Sequence, residues 1–179
     1  MPPEDACLDF RGFQDRTIFF AAITLEQVMF TRLGSRNLIV MGADIESRSL
    51  RFDEHGVGIA FAEPTSGVLV EARSDISDPI EFTAFDAAGD ILAWAEIPGD
   101  RTAHSVSLTG GSIVRVVAIG GGGEGAILSV GRLLAGYRLR GICQSSLGSR
   151  PAVRHVASLQ PVVDPAWLYW RTAARGYHD

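Results

Sequence analysis

Residues 79–133 read PIEFTAFDAAGD-ILAWAEIPGD-RTAHSVSLTGG-SIVRVVAIGGGGEG-AILSVGRL, and the pattern of this stretch decides the fold. At its start Ile80, Phe82 and Ala84 alternate with polar side chains, the period of two that marks a half-buried strand. Strands are predicted at residues 80–84, 91–97, 105–109 and 113–119, and turns at 86–90, 98–100 and 110–111. Short strands with a turn about every 8–12 residues are typical of a β-sandwich or a barrel.

The N-terminal half continues the same rhythm of short apolar segments. Further strands are predicted at residues 8–10, 17–23, 27–33, 38–41, 50–52, 57–61 and 67–73. In the last of these Val68, Val70 and Ala72 are expected to point inward. A chain of 179 residues is long enough for one full core. We therefore predict an all-β, antiparallel sandwich domain at residues 1–143, followed by a loop and C-terminal tail at residues 144–179.

The glycine run after residue 119 also matches a different pattern. Gly120, Gly122 and Gly125 satisfy G-x-G-x-x-G, which in a dinucleotide-binding fold cradles a pyrophosphate at a helix N-terminus. Residues 126–137 would then form that helix. However, the roughly twenty residues beyond the motif contain no Asp or Glu to bind the ribose. The preceding strands also read as antiparallel meanders rather than βα units, so a nucleotide-binding enzyme is the least favoured function.

Five segments between about residues 6 and 133 carry a family resemblance. They are Cys7-Leu8-Asp9-Phe10, Val28-Met29-Phe30, residues 64–72, Ala84-Phe85-Asp86-Ala87-Ala88-Gly89 and residues 113–128. Together they resemble a bacterial β-sandwich module of the galactose-binding-like, jelly-roll type. Such modules often sit inside large bacterial proteins, some of them near phage-tail-like contractile assemblies, and many have no assigned activity. The family's last strand usually ends in Cys, whereas this chain has Val130-Gly131-Arg132 there.

Composition and charge narrow the compartment and the partners. The chain has no apolar run of about 18 residues and no secretory signal, which predicts a cytoplasmic protein or one exported without a classical signal peptide. Residues 1–131 hold 9 Arg and 19 acids, a net charge of −10, which disfavours nucleic acid as a partner. Cys7 and Cys143 leave two alternatives, a disulfide between neighbouring terminal strands or two buried free thiols, and the missing signal favours the thiols.

The C-terminal tail differs from the rest of the chain in charge and aromatic content. Residues 132–179 hold 7 Arg and 2 acids, a net charge of +5, and the tail contains two of the three Trp and two of the three Tyr. Aromatic and Arg side chains contribute most of the energy of protein interfaces. The predicted partner interface, on a second copy or on another subunit, consists of Trp167, Tyr169, Trp170, Arg171, Arg175 and Tyr177. The alternative is that the tail packs back on its own sandwich.

A search for catalytic or metal-binding patterns finds little. The chain has no G-x-S-x-G, H-E-x-x-H or C-x-x-C, and its four His share no ligand spacing. His104 with Ser105 and Ser107 lacks a nucleophile turn and an orienting acid, so no catalytic residue is predicted. Sandwiches of the resembled type sometimes hold a structural Ca²⁺ near the positions of Asp9 and Glu124, but two carboxylates alone do not define a site.

Two smaller features remain. Asp75 and Asp78 are expected to cap a turn through their own backbone. Trp94, on the same strand face as Leu92 and Glu96, is expected to pack in the core or, if exposed, to stack on a sugar ring.

The sequence thus leaves three hypotheses for function. The first is a non-enzymatic structural or interaction module, a subunit of a larger bacterial or phage-like assembly that engages neighbours through its tail. The second is a carbohydrate-binding, lectin-like module that uses Trp94 or a loop edge. The third is the nucleotide-binding enzyme already described.

Overall fold

The computed structural model describes residues 7–42, 44 and 47–133, which form eleven strands and one short 3₁₀ turn. The strands are β1 (Cys7–Asp9), β2 (Thr17–Phe19), β3 (Ala22–Leu25), β4 (Val28–Arg32), β5 (Leu38–Met41), β6 (Ser49–Phe52), β7 (Val57–Ser74), β8 (Ile80–Phe85), β9 (Ile91–Ile97), β10 (His104–Gly120) and β11 (Gly125–Leu133). The turn, Gly121–Gly123, joins β10 to β11. The bounds of β5 and β9 are those predicted from the sequence.

The strands form two antiparallel sheets that share their two longest members, β7 and β10. The first sheet has the order β3-β4-β7-β10-β8-β9. The second sheet begins with the order β10-β7-β11. On its other edge β11 pairs with β1 along one part of its length and with β6 along the other. The sheet continues from β6 to β5 and then to β2. Residues 57–60 of β7 pair with β10 in the first sheet, and residues 67–72 pair with it in the second.

The two long strands correct part of the predicted segmentation. Residues 105–109 and 113–119, predicted as two strands, belong to the single strand β10, and residues 57–61 and 67–73 belong to β7. Gly110 and Gly111 do not reverse the chain. They lie in a register shift between Thr109 and Ile113, where a bulge bends the strand as it passes from one sheet to the other. A Cβ at Gly110 would lie 2.9 Å from the Cβ of Leu92, so glycine permits the close approach of β9.

The predicted strand at residues 17–23 is also divided. Its first part, β2, pairs with β5 in the second sheet, and its second part, β3, pairs with β4 in the first. The break at Phe20 therefore carries the chain between the two sheets.

A single cluster of buried apolar side chains fills the space between the sheets. It includes the inward-facing residues predicted on β8, Ile80, Phe82 and Ala84, and those predicted on β7, Val68, Val70 and Ala72. The rings of Phe10 and Phe30 meet edge to face in this core, with their centroids 5.4 Å apart. Because the cluster draws on both sheets, the predicted class, an all-β antiparallel sandwich, is confirmed for the described residues.

Candidate functional site

Nine side chains on β8, β9 and β10 alternate with core residues of the first sheet, and we call them the Trp94 face. Six of the nine are exposed, whereas Thr83, Val117 and Phe85 are at most 9% exposed. The central row of the face crosses three neighbouring strands, from Trp94 on β9 through Thr83 on β8 to Val117 on β10. The flanking rows follow from the same register: Glu96, Glu81 and Ile119 on one side, and Ile91, Phe85 and Arg115 on the other. Strand alternation places these side chains outward because the alternate residues of β8 and β10 are buried in the core.

Trp94 is 42% exposed, so the expectation that it packs in the core is wrong. Its neighbours Ile91 and Ile119 are 60% and 39% exposed, which makes this face unusually apolar for a solvent-facing sheet. Leu92, expected on the same face as Trp94, instead packs against the core. A register shift between Ala84 and Phe85 leaves Leu92 without a cross-strand partner and sets Ile91 opposite Phe85.

The charges of the Trp94 face are mostly acidic and partly unpaired. Glu81 and Glu96 lie directly opposite each other on β8 and β9, and neither side chain has an ion-pair or hydrogen-bond partner in the structure's described part. Like charges at such a position destabilise a sheet. Arg115, at the opposite corner, places its guanidinium carbon 4.8 Å from the centroid of the Phe85 ring, a cation–π contact.

The chemistry available on this face is that of recognition. Trp94 offers a flat apolar plane, and the exposed Glu81 and Glu96 offer hydrogen-bond acceptors, whereas Thr83 is only 9% exposed. Sequence periodicity placed Trp94 and Glu96 on one face correctly. It did not indicate that this face was the outer one, because apolar residues occupy both faces of β9.

The loops at one end of the sandwich hold a compact ion-pair cluster that the sequence analysis missed. The carboxylate of Asp75 forms ion pairs with both Arg51 and Arg73, and Arg51 Nη1 also lies 3.7 Å from Glu124 Oε2. Arg51 and Arg73 occupy opposite sides of the buried Ala126 on β11. Asp75 and Asp78 are expected from the sequence to cap a turn; the side chain of Asp75 instead pairs with Arg73, two residues away, and with Arg51, 24 positions away.

The expected calcium ligands do not come together. Asp9 pairs with Ser129 in register, whereas Glu124 precedes the start of β11, about 16 Å further along the strand direction. Asp9 accepts a hydrogen bond from the Arg11 backbone N–H at 3.0 Å, and Glu124 faces Arg51. In residues 7–42, 44 and 47–133 no group of three or more His, Cys, Asp or Glu side chains forms a metal cluster.

The glycine run does not open a helix. Gly120 to Gly123 all have positive φ values, between 51° and 104°, and β11 follows as a strand paired on both sides. A Cβ at Gly122 would lie 2.2 Å from Ile76 Cδ1 and 2.5 Å from Asp78 Oδ2, so the loop packs tightly against the β7–β8 connection. The helix N-terminus that the dinucleotide motif requires is therefore missing at residues 125–133, and that hypothesis is wrong.

His104 has an acid partner that the sequence analysis did not find. Its Nε2 lies 2.9 and 3.0 Å from the two carboxylate oxygens of Asp100. This hydrogen bond, followed by one from the Thr102 backbone N–H, holds the pKa of Asp100 below its usual value of 3.8. The other ring nitrogen, Nδ1, is buried without a hydrogen-bond partner, so no serine hydroxyl completes a catalytic arrangement with His104.

Several predicted features lie outside the described residues. These are the proposed interface residues Trp167, Tyr169, Trp170, Arg171, Arg175 and Tyr177, the domain boundary at residue 143, and Cys143 with its pairing to Cys7. They stay predictions. No helix in the described part of the chain has the length and apolar character needed to cross a membrane.

Comparisons with known proteins give only distant likenesses. No protein-family model matches the chain, and no curated protein matches it in sequence. A family 6 carbohydrate-binding module is similar in structure at a TM-score of 0.43 and 11% identity, over 73% of this chain and 95% of the module. A DUF4465 family protein from Bacteroides caccae is similar at a TM-score of 0.35 and 10% identity, over 73% and 94%. Neither likeness is close enough to say what this chain binds, and neither supports the expected link to phage-tail-like assemblies.

Proposed function

We propose that this chain is a non-enzymatic binding module that holds a carbohydrate against the Trp94 face. The observation that supports the proposal most directly is the half-exposed indole of Trp94 on an edge strand, in register with Thr83 and two residues from Glu96. Together with the exposed Ile91 and Ile119, this indole forms an apolar patch, and such patches are typical of binding surfaces.

The geometry of a sugar ring complements this arrangement. A pyranose presents an apolar C–H surface on one face and hydroxyl groups around its rim. The C–H surface would stack on Trp94, and the rim hydroxyls would donate to the carboxylates of Glu81 and Glu96.

The dimensions of the Trp94 face favour an oligosaccharide over a single sugar. The face is three strands wide and three rows long, which corresponds to about 10 Å by 13 Å. Within the face Thr83, Val117 and Phe85 are at most 9% exposed, so a chain of sugar units would contact the six exposed side chains around them.

The test is a glycan array probed with the full chain and two variants. The change Trp94→Ala removes the stacking surface and is expected to weaken binding by at least about tenfold. The matched control, Phe20→Ala, removes an aromatic side chain that is 74% exposed at the β2–β3 break and is expected to leave binding intact. Equal losses in both variants, or no glycan bound by the wild-type chain, would contradict the proposal.

A second function, the subunit of a larger assembly, is favoured by the composition of the tail. The tail holds two of the three Trp and two of the three Tyr together with an excess of Arg. Light scattering on the full chain and on a version ending at Gln160 tests this function. A defined oligomer that becomes monomeric on truncation would support assembly through the tail, and a monomer in both cases would exclude self-assembly.

A further inference from the structure

We infer that the Trp94 face docks the C-terminal segment of this chain, residues 167–177, from the same copy or from a neighbouring one. The tail segment and a sugar would compete for Trp94, Glu81 and Glu96, so a sugar would bind only to the undocked face. The inference itself does not depend on a sugar being bound, and it names the surface that receives the predicted interface residues of the tail.

The charges of the two partners are complementary. Residues 80–97, which form β8, β9 and their turn, contain four acids and no Arg, Lys or His. Residues 167–177 read WLYWRTAARGY and contain two Arg and no acid. At the turn Asp86 is already occupied, because its Oδ1 accepts the backbone N–H groups of Ala88 and Asp90. Asp86 and Asp90 lie in the β8–β9 turn, so the acids of the Trp94 face itself are Glu81 and Glu96, and its cation, Arg115, lies two rows away from them.

The opposed carboxylates form a natural site for a guanidinium group. Glu81 and Glu96 face each other across two strands without a cation between them in the described residues. An Arg side chain placed there would remove the repulsion and form charge-assisted hydrogen bonds to both groups. The planar guanidinium suits this role better than an ammonium group does.

The apolar side chains of the face complement the aromatic residues of the segment. Ile91, Trp94 and Ile119 are the exposed large apolar residues here: Ile119 shares the row of the carboxylates, Trp94 lies one row from it and Ile91 two rows. A tail anchor such as Trp167 or Trp170 would bury this surface. Aromatic side chains combined with Arg form the usual energetic centre of a protein interface.

The other exposed apolar patch is less suitable. Ile18 and Phe20, in and just after β2, are close in sequence to Arg16, whereas the cation of the Trp94 face, Arg115, lies two rows away from Glu81 and Glu96. Asp15, the acid beside Arg16 in the sequence, already pairs with it, with Asp15 Oδ2 3.9 Å from Arg16 Nε. The chain between β11 and the tail segment is long enough to reach either patch, because the 34 residues from Leu133 to Trp167 span about 110 Å when extended.

The test is a charge-reversal cycle in the full chain, with chymotryptic cleavage after Trp167, Tyr169 and Trp170 as the readout. The face variant carries Glu81→Arg and Glu96→Arg, the tail variant carries Arg171→Glu and Arg175→Glu, and a third protein carries all four changes. Each single variant is expected to be cleaved at least about fivefold faster than the wild type, because cleavage follows the undocked population. The protein with all four substitutions is expected to be cleaved within about twofold of the wild-type rate, since the charges of face and tail are again complementary.

Two controls keep the result interpretable. Glu63→Arg reverses an exposed acid on β7 away from the face and is expected to leave cleavage unchanged. Hydrogen exchange of the β9 amides provides a second measurement on the tail variant, whose sandwich is unmodified, and exchange is expected to accelerate there. Wild-type cleavage rates in both the face variant and the tail variant, or no recovery in the combined variant, would overturn the inference.

Light scattering distinguishes docking within one copy from docking between copies. An oligomer that is lost in the tail variant indicates a neighbouring copy, and a constant monomer mass indicates the same copy.

Discussion

Replacement of Asp75 by Asn is expected to lower the stability of the sandwich by removing the common partner of Arg51 and Arg73. Asn has nearly the shape of Asp, and the backbone contacts at this position, including the bond from Asp75 N–H to the Glu124 carbonyl at 3.2 Å, remain available. The substitution therefore isolates the charge. After it, Arg51 and Arg73 flank Ala126 without their shared carboxylate, and Glu124 remains as a partner of Arg51.

The magnitude follows from the partial burial of the cluster. The three side chains are between 19% and 27% exposed. Removing one partner of a fully buried pair costs about 3–5 kcal/mol, and exposed pairs contribute about 0.2–1 kcal/mol. We expect an intermediate loss of about 1–3 kcal/mol in the free energy of unfolding. For a chain of this size that loss lowers Tm by about 3–10 °C.

Urea denaturation of the full chain measures this loss, and a double-mutant cycle tests its cause. In the Asp75→Asn background, Arg51→Gln is expected to restore part of the stability, because one of the two unpaired charges is removed. Asp90→Asn, at an exposed acid on the β8–β9 turn, serves as the control and is expected to have almost no effect. A loss below about 0.5 kcal/mol for Asp75→Asn, or strict additivity with Arg51→Gln, would refute the assigned role of the cluster.

Three further predictions follow from the same structure. Trp94→Ala is expected to weaken glycan affinity by about 10- to 80-fold, as measured by titration calorimetry. About 42% of a roughly 250 Å² side chain is available to a ligand, and at about 25 cal/mol per Å² its burial contributes at most about 2.6 kcal/mol. A loss of affinity under threefold would count against stacking. Because the pKa of Asp100 is lowered, its contribution to stability is complete above its usual value of 3.8 and is lost as the pH falls below it. The stability advantage of the wild type over Asp100→Asn in urea is therefore expected to be constant near neutral pH and to shrink below pH 3.8; an advantage that grows on acidification would show the opposite sign. Gly125→Ala is expected to destabilise by about 1–3 kcal/mol, since its Cβ would lie 2.4 Å from Phe52 Cζ, and an unchanged denaturation midpoint would show that the ring yields freely.

The agreement between sequence and structure is best where local periodicity determines the answer. Alternation on β8 and in the second half of β7 identified the inward side chains correctly, because the fold buries one face of each strand and side chains alternate along it. The bounds of β5 and β9 were also predicted, since turn-forming residues lie on both sides of them.

The errors arise where a local signal has two structural outcomes. A glycine pair in a β-rich sequence marks either a turn or a bulge, and only the pairing of β10 with β7 on both sides of Gly110 and Gly111 decides for the bulge. The run from Gly120 to Gly123 likewise has the sequence of a phosphate loop. Its function as a tight connection between strands depends on the packing of Ile76 and Asp78 against it.

The sequence by itself determined the class of this protein, because an antiparallel sandwich follows from short-range alternation and turn chemistry that each segment carries locally. The tertiary structure alone decided the features on which recognition depends. Asp75 meets Arg51 across 24 positions of the chain, and Glu81 faces Glu96 only because a hairpin sets their register. The second sheet covers one side of the first sheet, and Trp94 lies on the other side and is therefore exposed. The side that is covered depends on the assembled sandwich and cannot be read from one strand.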